Sequence, residues 1–335
     1  MPKILVIRFS SIGDIVLTTP VFRLIKKQVE QAELHFVTKL RFKAVTSENP
    51  YIDKFHYLDE DWEGLIDALK KENYDVVIDL HNNFRSNKIR RALKARSSVI
   101  DKLTVPKFFL TKLGLNFMPN RHITQRCIDA AKILGVQDDG HGLDYYISKS
   151  DEVSFQDIPT SHHAGYIGIV IGANHRTKKL PVHQLKKLCA YIQHPIILLG
   201  GPGEATEGDE IAATDPAKIY NAAGKFSLNE CADLIKKAKL IVSHDTGMQY
   251  IACAYQRPVI AIWGSTSPKL QVEPYYGSDA RYQGKYENFL KNLHCQPCNK
   301  YGAASCPREH FNCMEKLSMQ DLAHAVHRRL GRAVS

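Results

Sequence analysis

Three turns in this sequence carry side chains suited to moving a group between two substrates. The first is Phe9-Ser10-Ser11-Ile12-Gly13-Asp14, where an apolar run gives way to a helical pattern. Ligands of open α/β sheets collect outside the carboxyl ends of strands, so such a turn lies at a mouth. Gly13 permits a tight bend, and Asp14 stands at the helix start either as a cap or as a general base. The three-glycine fingerprint of dinucleotide sites is missing, which argues against NAD or FAD.

The second turn, Ala173-Asn174-His175-Arg176-Thr177-Lys178-Lys179-Leu180-Pro181, follows the strand-like YIGIVIG and precedes a helix. Cations and a hydroxyl beside a helix N-terminus suit an anion such as pyrophosphate. The third is His244-Asp245-Thr246-Gly247-Met248-Gln249-Tyr250. Thr246 and Gly247 place backbone N–H groups at a helix start, where a phosphate or a sugar hydroxyl can dock. Trp263-Gly264-Ser265-Thr266-Ser267-Pro268 is a further small-residue turn at the same edge. Together these turns describe a pocket for a nucleoside diphosphate.

The eight cysteines fall into two groups. Cys127, Cys189, Cys231 and Cys253 are isolated in helical patterns and read as small core residues. Cys295, Cys298, Cys306 and Cys313 crowd one loop-like stretch. That set could hold a structural zinc ion, although its second pair lacks the close spacing of the first. A reducing compartment disfavours disulfides among them.

The elements that must position these turns are strands alternating with helices. KILVIRF, LHFVT, KFHYL and DVVIDL read as strands in the first half, with IVLTTPVFRLIKKQV and EGLIDALKKEN as amphipathic helices between them. YIGIVIG, PIILLGG, AKIYNAA, LIVSHD and PVIAIWG repeat the alternation in the second half, with helices expected near 182–192, 228–237, 247–255 and 318–330. Continuous apolar strands imply parallel sheets covered on both faces. The irregular stretch 137–164 reads as the tail of one domain plus a linker. The expectation is α/β: two Rossmann-like, doubly wound domains facing a cleft, over 1–160 and 161–317, with a C-terminal helix over 318–335.

Composition narrows the class. The 335 residues are 44% hydrophobic and 24% charged, which excludes a disordered chain and a disulfide-stapled miniprotein. No apolar run approaches the roughly 20 residues of a membrane span. Lys3, Arg8 and Asp14 interrupt the apolar N-terminus, so no signal peptide is expected and the compartment reads as cytoplasm. Between Arg85 and Arg126 stand eleven Lys or Arg against a single acid, Asp101, which equals the net +10 of the whole chain. Such a block suits a polyanionic partner: a phosphorylated substrate, an acidic membrane face or nucleic acid. Nucleic acid is disfavoured, because Phe108, Phe109 and Phe117 are the block's only aromatics suited to stacking on bases.

The SSIGD turn, the KKLP loop and HDTGMQYIACAYQRPVIAIWGSTSP together resemble glycosyltransferase family 9, the ADP-heptose:lipopolysaccharide heptosyltransferases. DLHNNFRS, Asp79 to Ser86, resembles the family's acceptor-domain motif. The family often has Trp where Leu180 stands, and His where Tyr250 stands. The resemblance implies the GT-B fold and inverting transfer without a catalytic metal. It implies Asp14 as the catalytic base and Lys178 as the lysine on the donor phosphates. Asp245, Thr246 and Gly247 match the donor loop, which Asn174 and Thr177 are expected to join. Ser11, Gly13, Arg85, Arg90 and Arg91 are the candidate acceptor residues. The implied partners are an ADP-heptose-like nucleotide sugar, a lipopolysaccharide core or lipid A precursor, and the anionic inner membrane surface. A GT-B nucleotide-sugar epimerase and a basic nucleic-acid-binding protein are the alternatives.

Overall fold

Strand order decides where this protein leaves room for a ligand. The computed structural model describes residues 1–279 and 284–332. Its first sheet contains β1 (Lys3–Ile7), β2 (Glu33–Lys39), β3 (Lys54–Leu58), β4 (Val76–Asp79) and β5 (Arg96–Val99), in the spatial order β3-β2-β1-β4-β5. All pairings are parallel, and Ile4 lies opposite both Leu34 and Val76. Ile4, Leu5, Val6 and Ile7 are fully buried, as a strand covered by helices on both faces must be.

The second sheet contains β6 (Ile167–Val170), β7 (Ile196–Leu199), β8 (Ile219–Asn221), β9 (Leu240–His244), β10 (Val259–Ile262) and β11 (Tyr286–Phe289). Its order is β11-β10-β9-β6-β7-β8, again all parallel. The winding reverses between β1 and β4 in the first sheet and between β6 and β9 in the second. At such a switch point the two connections leave in opposite directions, so the carboxyl ends of that strand pair border a crevice. Asp14 follows β1, Lys178 follows β6 and Asp245 follows β9. The three acid and cation candidates therefore stand at the two positions that topology opens.

The chain divides into two compact units. The first comprises Met1–Leu103, Arg121–Tyr146 and Gly277–Asp279; the second holds Thr104–Asn120, Ile147–Tyr276 and the described residues after 283. The change at Tyr146 comes before the 160 expected, and hydrogen bonds explain why. Arg23, nearly buried, holds the stretch before it through Asp139, Asp144 and the Gly142 carbonyl. The stretch after it is pinned to the second unit: Val153 N–H donates to Asp233 (2.9 Å), and His162 Nε2 lies 3.0 Å from the Ile196 carbonyl. The C-terminal helix, Met319–Arg332, joins the second unit's core, where Leu322, Ala323 and Val326 cluster with Leu185 and Leu188. The last three positions expected in that helix, 333–335, lie outside the described residues. None of the described helices is long and apolar enough to cross a membrane.

Candidate active site

At the first switch point, Ser11 caps the short helix Ile12–Val16 and Asp14 sits in its first turn. Asp14 Oδ2 accepts from the Ser11 N–H (3.0 Å) and the Ser11 hydroxyl (2.8 Å), while Oδ1 pairs with the Arg8 guanidinium at 2.6 Å. Arg8 is buried and donates also to the Ser10 and Leu80 carbonyls, so it cannot follow the carboxylate away. Burial opposes the charge on Asp14, but Arg8 and the Ser11 donors outweigh it and hold the carboxyl below its ordinary value. The side chain nevertheless stays 40% exposed. Asp14 is thus a fixed, ionised and accessible carboxylate; Ser11, not Asp14, is the N-cap, and Asp14 closes the capping box while keeping the chemistry suited to a base.

Across the same switch point, Asp79 ends β4 fully buried and accepts from the His81 and Asn82 amides and from Arg90 Nε (3.1 Å). This arrangement turns the chain sharply into helix Phe84–Leu93. His81 packs edge-on against Phe9 with ring centres 5.1 Å apart. Burial, then Arg8 and Lys102, push the His81 imidazole down to about 3, so it is neutral. Burial, then Arg41 and Arg85, lower the Lys39 ammonium in turn. The cations Arg41 and Arg85 thus act on Lys39, and Lys102 and Lys39 act on His81, which marks this side of the turn as electropositive.

At the second switch point the Lys178 ammonium pairs with Asp245 Oδ2 at 2.6 Å and donates to the Asp245 carbonyl at 3.0 Å. Thr266 donates to the same Oδ2 (3.0 Å). The loop carrying Lys178 is held from two sides. His244 Nε2 accepts from the Leu180 N–H (2.9 Å), and Thr177 is bonded to Ser265 Oγ (2.8 Å) and to the Ala303 backbone. Gly264 is required here, since a Cβ would lie 2.3 Å from the Thr177 carbonyl oxygen. Thr246 caps helix Gly247–Ala254, whose first N–H groups point out at this edge beside Lys178. A cation and a helix N-terminus side by side are chemically suited to an anion such as a diphosphate.

The family model of glycosyltransferase family 9 (heptosyltransferase) matches residues 62–307. The chain belongs to glycosyltransferase family 9. Lipopolysaccharide heptosyltransferase 1 of Campylobacter coli is 27% identical over 292 residues, covering 79% of this chain and 84% of that protein. The solved Escherichia coli ADP-heptose lipopolysaccharide heptosyltransferase II has the same fold, with a TM-score of 0.72 at 18% identity, over 99% of this chain and 100% of that one. Escherichia coli heptosyltransferase WaaC with ADP-2-deoxy-2-fluoro heptose gives 0.69 at 18% identity, over 97% and 99%. The doubly wound pair of sheets is the GT-B fold.

Within this family 9 frame the expected site residues separate by what they touch. Ser11, Asp14 and Gly13 share one turn, with Gly13 buried beneath it. Arg85 is exposed at the start of helix Phe84–Leu93, whereas Arg91 lies in its last turn and Arg90 is committed to Asp79. Lys178, Asp245, Thr246 and Gly247 come together. Thr177 is buried and ties loops together, and Asn174 is exposed, its amide 3.4 Å from His175 Nε2. Lys179 is held by Glu204 (3.3 Å) and Glu207 (2.8 Å), away from the Asp245 carboxylate. Two contributors were not singled out in the sequence: Arg8, signalled by a cation inside the apolar run KILVIRF, and His244 as a loop clamp.

Cys295, Cys298, Cys306 and Cys313 line one cavity together with His310, whose Nε2 is 3.8 Å from Cys295 Sγ. All four are free thiols, and the other four cysteines are buried. Zinc holds sulfurs about 2.3 Å from itself, hence about 3.8 Å from one another. Among the described residues, the one set of three His, Cys, Asp or Glu ligand atoms within 4.8 Å of each other is instead His35, His56 and Glu72. That set lies at the amino end of the first sheet. Its Glu72 already pairs with Lys3 (2.9 Å) and with Lys54, and two ammonium groups there oppose a metal ion.

Three imidazoles, His56 and His244 buried and His81 half-buried, give the fold a pH dependence. Burial foremost holds His56 and His244 down to about 4, and His81 to about 3, against an ordinary 6.5. Below pH 6.5 the unfolded chain therefore takes protons that the folded chain refuses, and stability falls with pH until each folded value is reached. Each histidine contributes a slope of up to about 1.4 kcal/mol per pH unit. The melting temperature is expected to fall steadily as pH drops from about 6.5 to about 4.5. His56→Gln should flatten that slope, and an unchanged slope in the variant contradicts the assignment.

Proposed function

We propose that this protein transfers heptose from ADP-heptose to a hydroxyl of an inner-core lipopolysaccharide acceptor, with inversion at the anomeric carbon. The observation that carries the reading is the pairing of Lys178 with Asp245 beside the Thr246–Gly247 helix start, in a chain of family 9. Asp14 takes the proton of the acceptor hydroxyl as its oxygen bonds to the anomeric carbon. The bond from that carbon to the diphosphate oxygen breaks, and its electron pair leaves on the nucleotide. A carboxylate held below its ordinary value is a weak base for a free alcohol. It becomes competent once the forming bond acidifies that hydroxyl.

Lys178 and the N–H groups of helix Gly247–Ala254 receive the charge that builds on the departing diphosphate, so this chemistry needs no divalent ion. Asp245 acts through Lys178, since its Oδ2 is occupied by Lys178 and Thr266. Arg85, Lys39 and Arg41 draw in the phosphorylated acceptor. Arg91 adds to the same field from the far end of its helix. The cysteine cavity is assigned to a structural zinc ion, around which the thiols would have to close, separate from the chemistry. The enzyme works in the cytoplasm, peripherally at the inner membrane, where its acceptor is presented; nucleic acid has no part.

A donor screen tests the reading. At a hundred times its dissociation constant, ADP-heptose should stabilise the protein by about 2.7 kcal/mol. GDP- and UDP-sugars at the same concentration should not. Equal stabilisation by all three removes the ADP-sugar assignment.

A further inference from the structure

Eleven large hydrophobic side chains are exposed among the described residues, and five of them fall within thirteen consecutive positions: Val105, Phe108, Leu113, Leu115 and Phe117. Scattered single exposures are ordinary, whereas such a concentration marks a contact surface. The segment is ordered by its own bonds. Helical turn Thr104–Phe108 runs into the wider turn Phe109–Leu113, where Thr111 Oγ1 donates to the Lys107 carbonyl (2.8 Å). Gly114, at φ +71°, ends it, and the Leu115 N–H returns to the Phe109 carbonyl (3.2 Å). The Phe109 ring meets Phe108 and Phe117 edge-on, at 6.0 and 5.6 Å, and Leu110 is the buried anchor.

The charge around this surface selects its partner. No acid stands between Asp101 and Asp129, while Lys102, Lys107, Lys112, Arg121 and Arg126 do. Lys107 and Lys112 interleave with the exposed apolar residues. Arg121 and Arg126 are turned elsewhere, to Asp129 and to the Asp101 carbonyl. Apolar side chains with interleaved lysines and no acid match the boundary of an anionic bilayer, with hydrocarbon below and phosphates beside it. An apolar protein groove answers the hydrophobic side chains alone, whereas a phospholipid surface answers both.

We infer that residues 105–117 form a wedge that seats in the headgroup boundary of an anionic lipid bilayer, Phe108, Leu113 and Phe117 entering the acyl region and Lys107 and Lys112 meeting lipid phosphates. The usefulness of this wedge rests on the proposed lipid-borne acceptor, but its existence is measured independently. The purified full chain is mixed with vesicles of phosphatidylethanolamine and phosphatidylglycerol, or of phosphatidylcholine alone, and partition is read by flotation. Wild type should float with the anionic vesicles, less so as salt rises.

Phe108→Ser with Leu113→Ser and Phe117→Ser should lower partition by roughly tenfold or more, through lost acyl burial. Lys107→Gln with Lys112→Gln should cost about fivefold per lysine and flatten the salt dependence. Both variants should keep the wild-type melting temperature and the wild-type rate on an acceptor stripped of its acyl chains. Phe117→Trp, a single change at an exposed site, should show bluer emission with anionic vesicles only. Wild-type partition by the triple serine variant, or unshifted emission from Phe117→Trp, overturns the wedge. Failure of wild type to glycosylate the stripped acceptor would instead strike the proposed function and leave the vesicle result standing.

Discussion

Asp14→Asn is expected to lower turnover by about 10²- to 10⁴-fold, the range that a lost general base produces. Donor affinity should hardly change, while the melting temperature should fall as buried Arg8 loses its carboxylate partner. Asn retains an oxygen for the Ser11 donors, and Arg8 retains the Ser10 and Leu80 carbonyls, so the turn keeps its shape. Arg8 is buried, however, so losing the Asp14 charge leaves its guanidinium without an anion and lowers stability. What Asn cannot do is take a proton at neutral pH. A cap alone would tolerate Asn almost freely. Steady-state rates measured well below the variant's melting temperature decide; near-normal turnover ends the catalytic assignment.

Lys178→Ala should weaken both ADP and ADP-heptose by about 10- to 150-fold, the loss of one charge-assisted contact of roughly 1.5–3 kcal/mol. The two ligands should suffer alike, because the contact is to phosphate. Asp245→Asn is the sharper case. Asp245 is 8% exposed, and its Oδ2 is shared by Lys178 and Thr266, so its effect passes through the lysine. It should therefore weaken ADP and ADP-heptose by the same factor, with the Thr266 contact preserved by the Asn oxygen. A direct contact from Asp245 to the sugar would instead hurt ADP-heptose alone. Calorimetry with both ligands separates the two, and a selective loss would transfer Asp245 from positioning the lysine to reading the sugar.

The interior strands were legible because burial on both faces demands unbroken or nearly unbroken apolar runs, and β1, β2, β4, β6, β7, β9 and β10 supply them. The edge strands β5 and β11 were not. β5 is Arg96-Ser97-Ser98-Val99 and β11 is Tyr286-Glu287-Asn288-Phe289, mixtures that only the pairing with β4 and β10 makes into strands. At the site, Asp14, Lys178 and the Asp245 turn could be read because the strand-turn-helix order puts them at carboxyl ends. Partnerships could not. Thr177 spends its hydroxyl on Ser265 and Ala303, 88 and 126 residues away, and Arg90 spends its guanidinium on Asp79. Spacing along the chain carries no record of such pairings. Arg8 is the intermediate case, a buried cation after an apolar strand that needs an anion, with Asp14 six residues on.

The most direct measurement is a transfer reaction with purified protein, ADP-heptose and a heptose-free lipopolysaccharide core, with the product's anomeric configuration read by nuclear magnetic resonance. A new glycosidic bond of inverted configuration is expected, formed only when donor and acceptor are both present. A retained configuration would contradict single displacement with Asp14 as base. An isomerised sugar appearing without acceptor would contradict transfer itself.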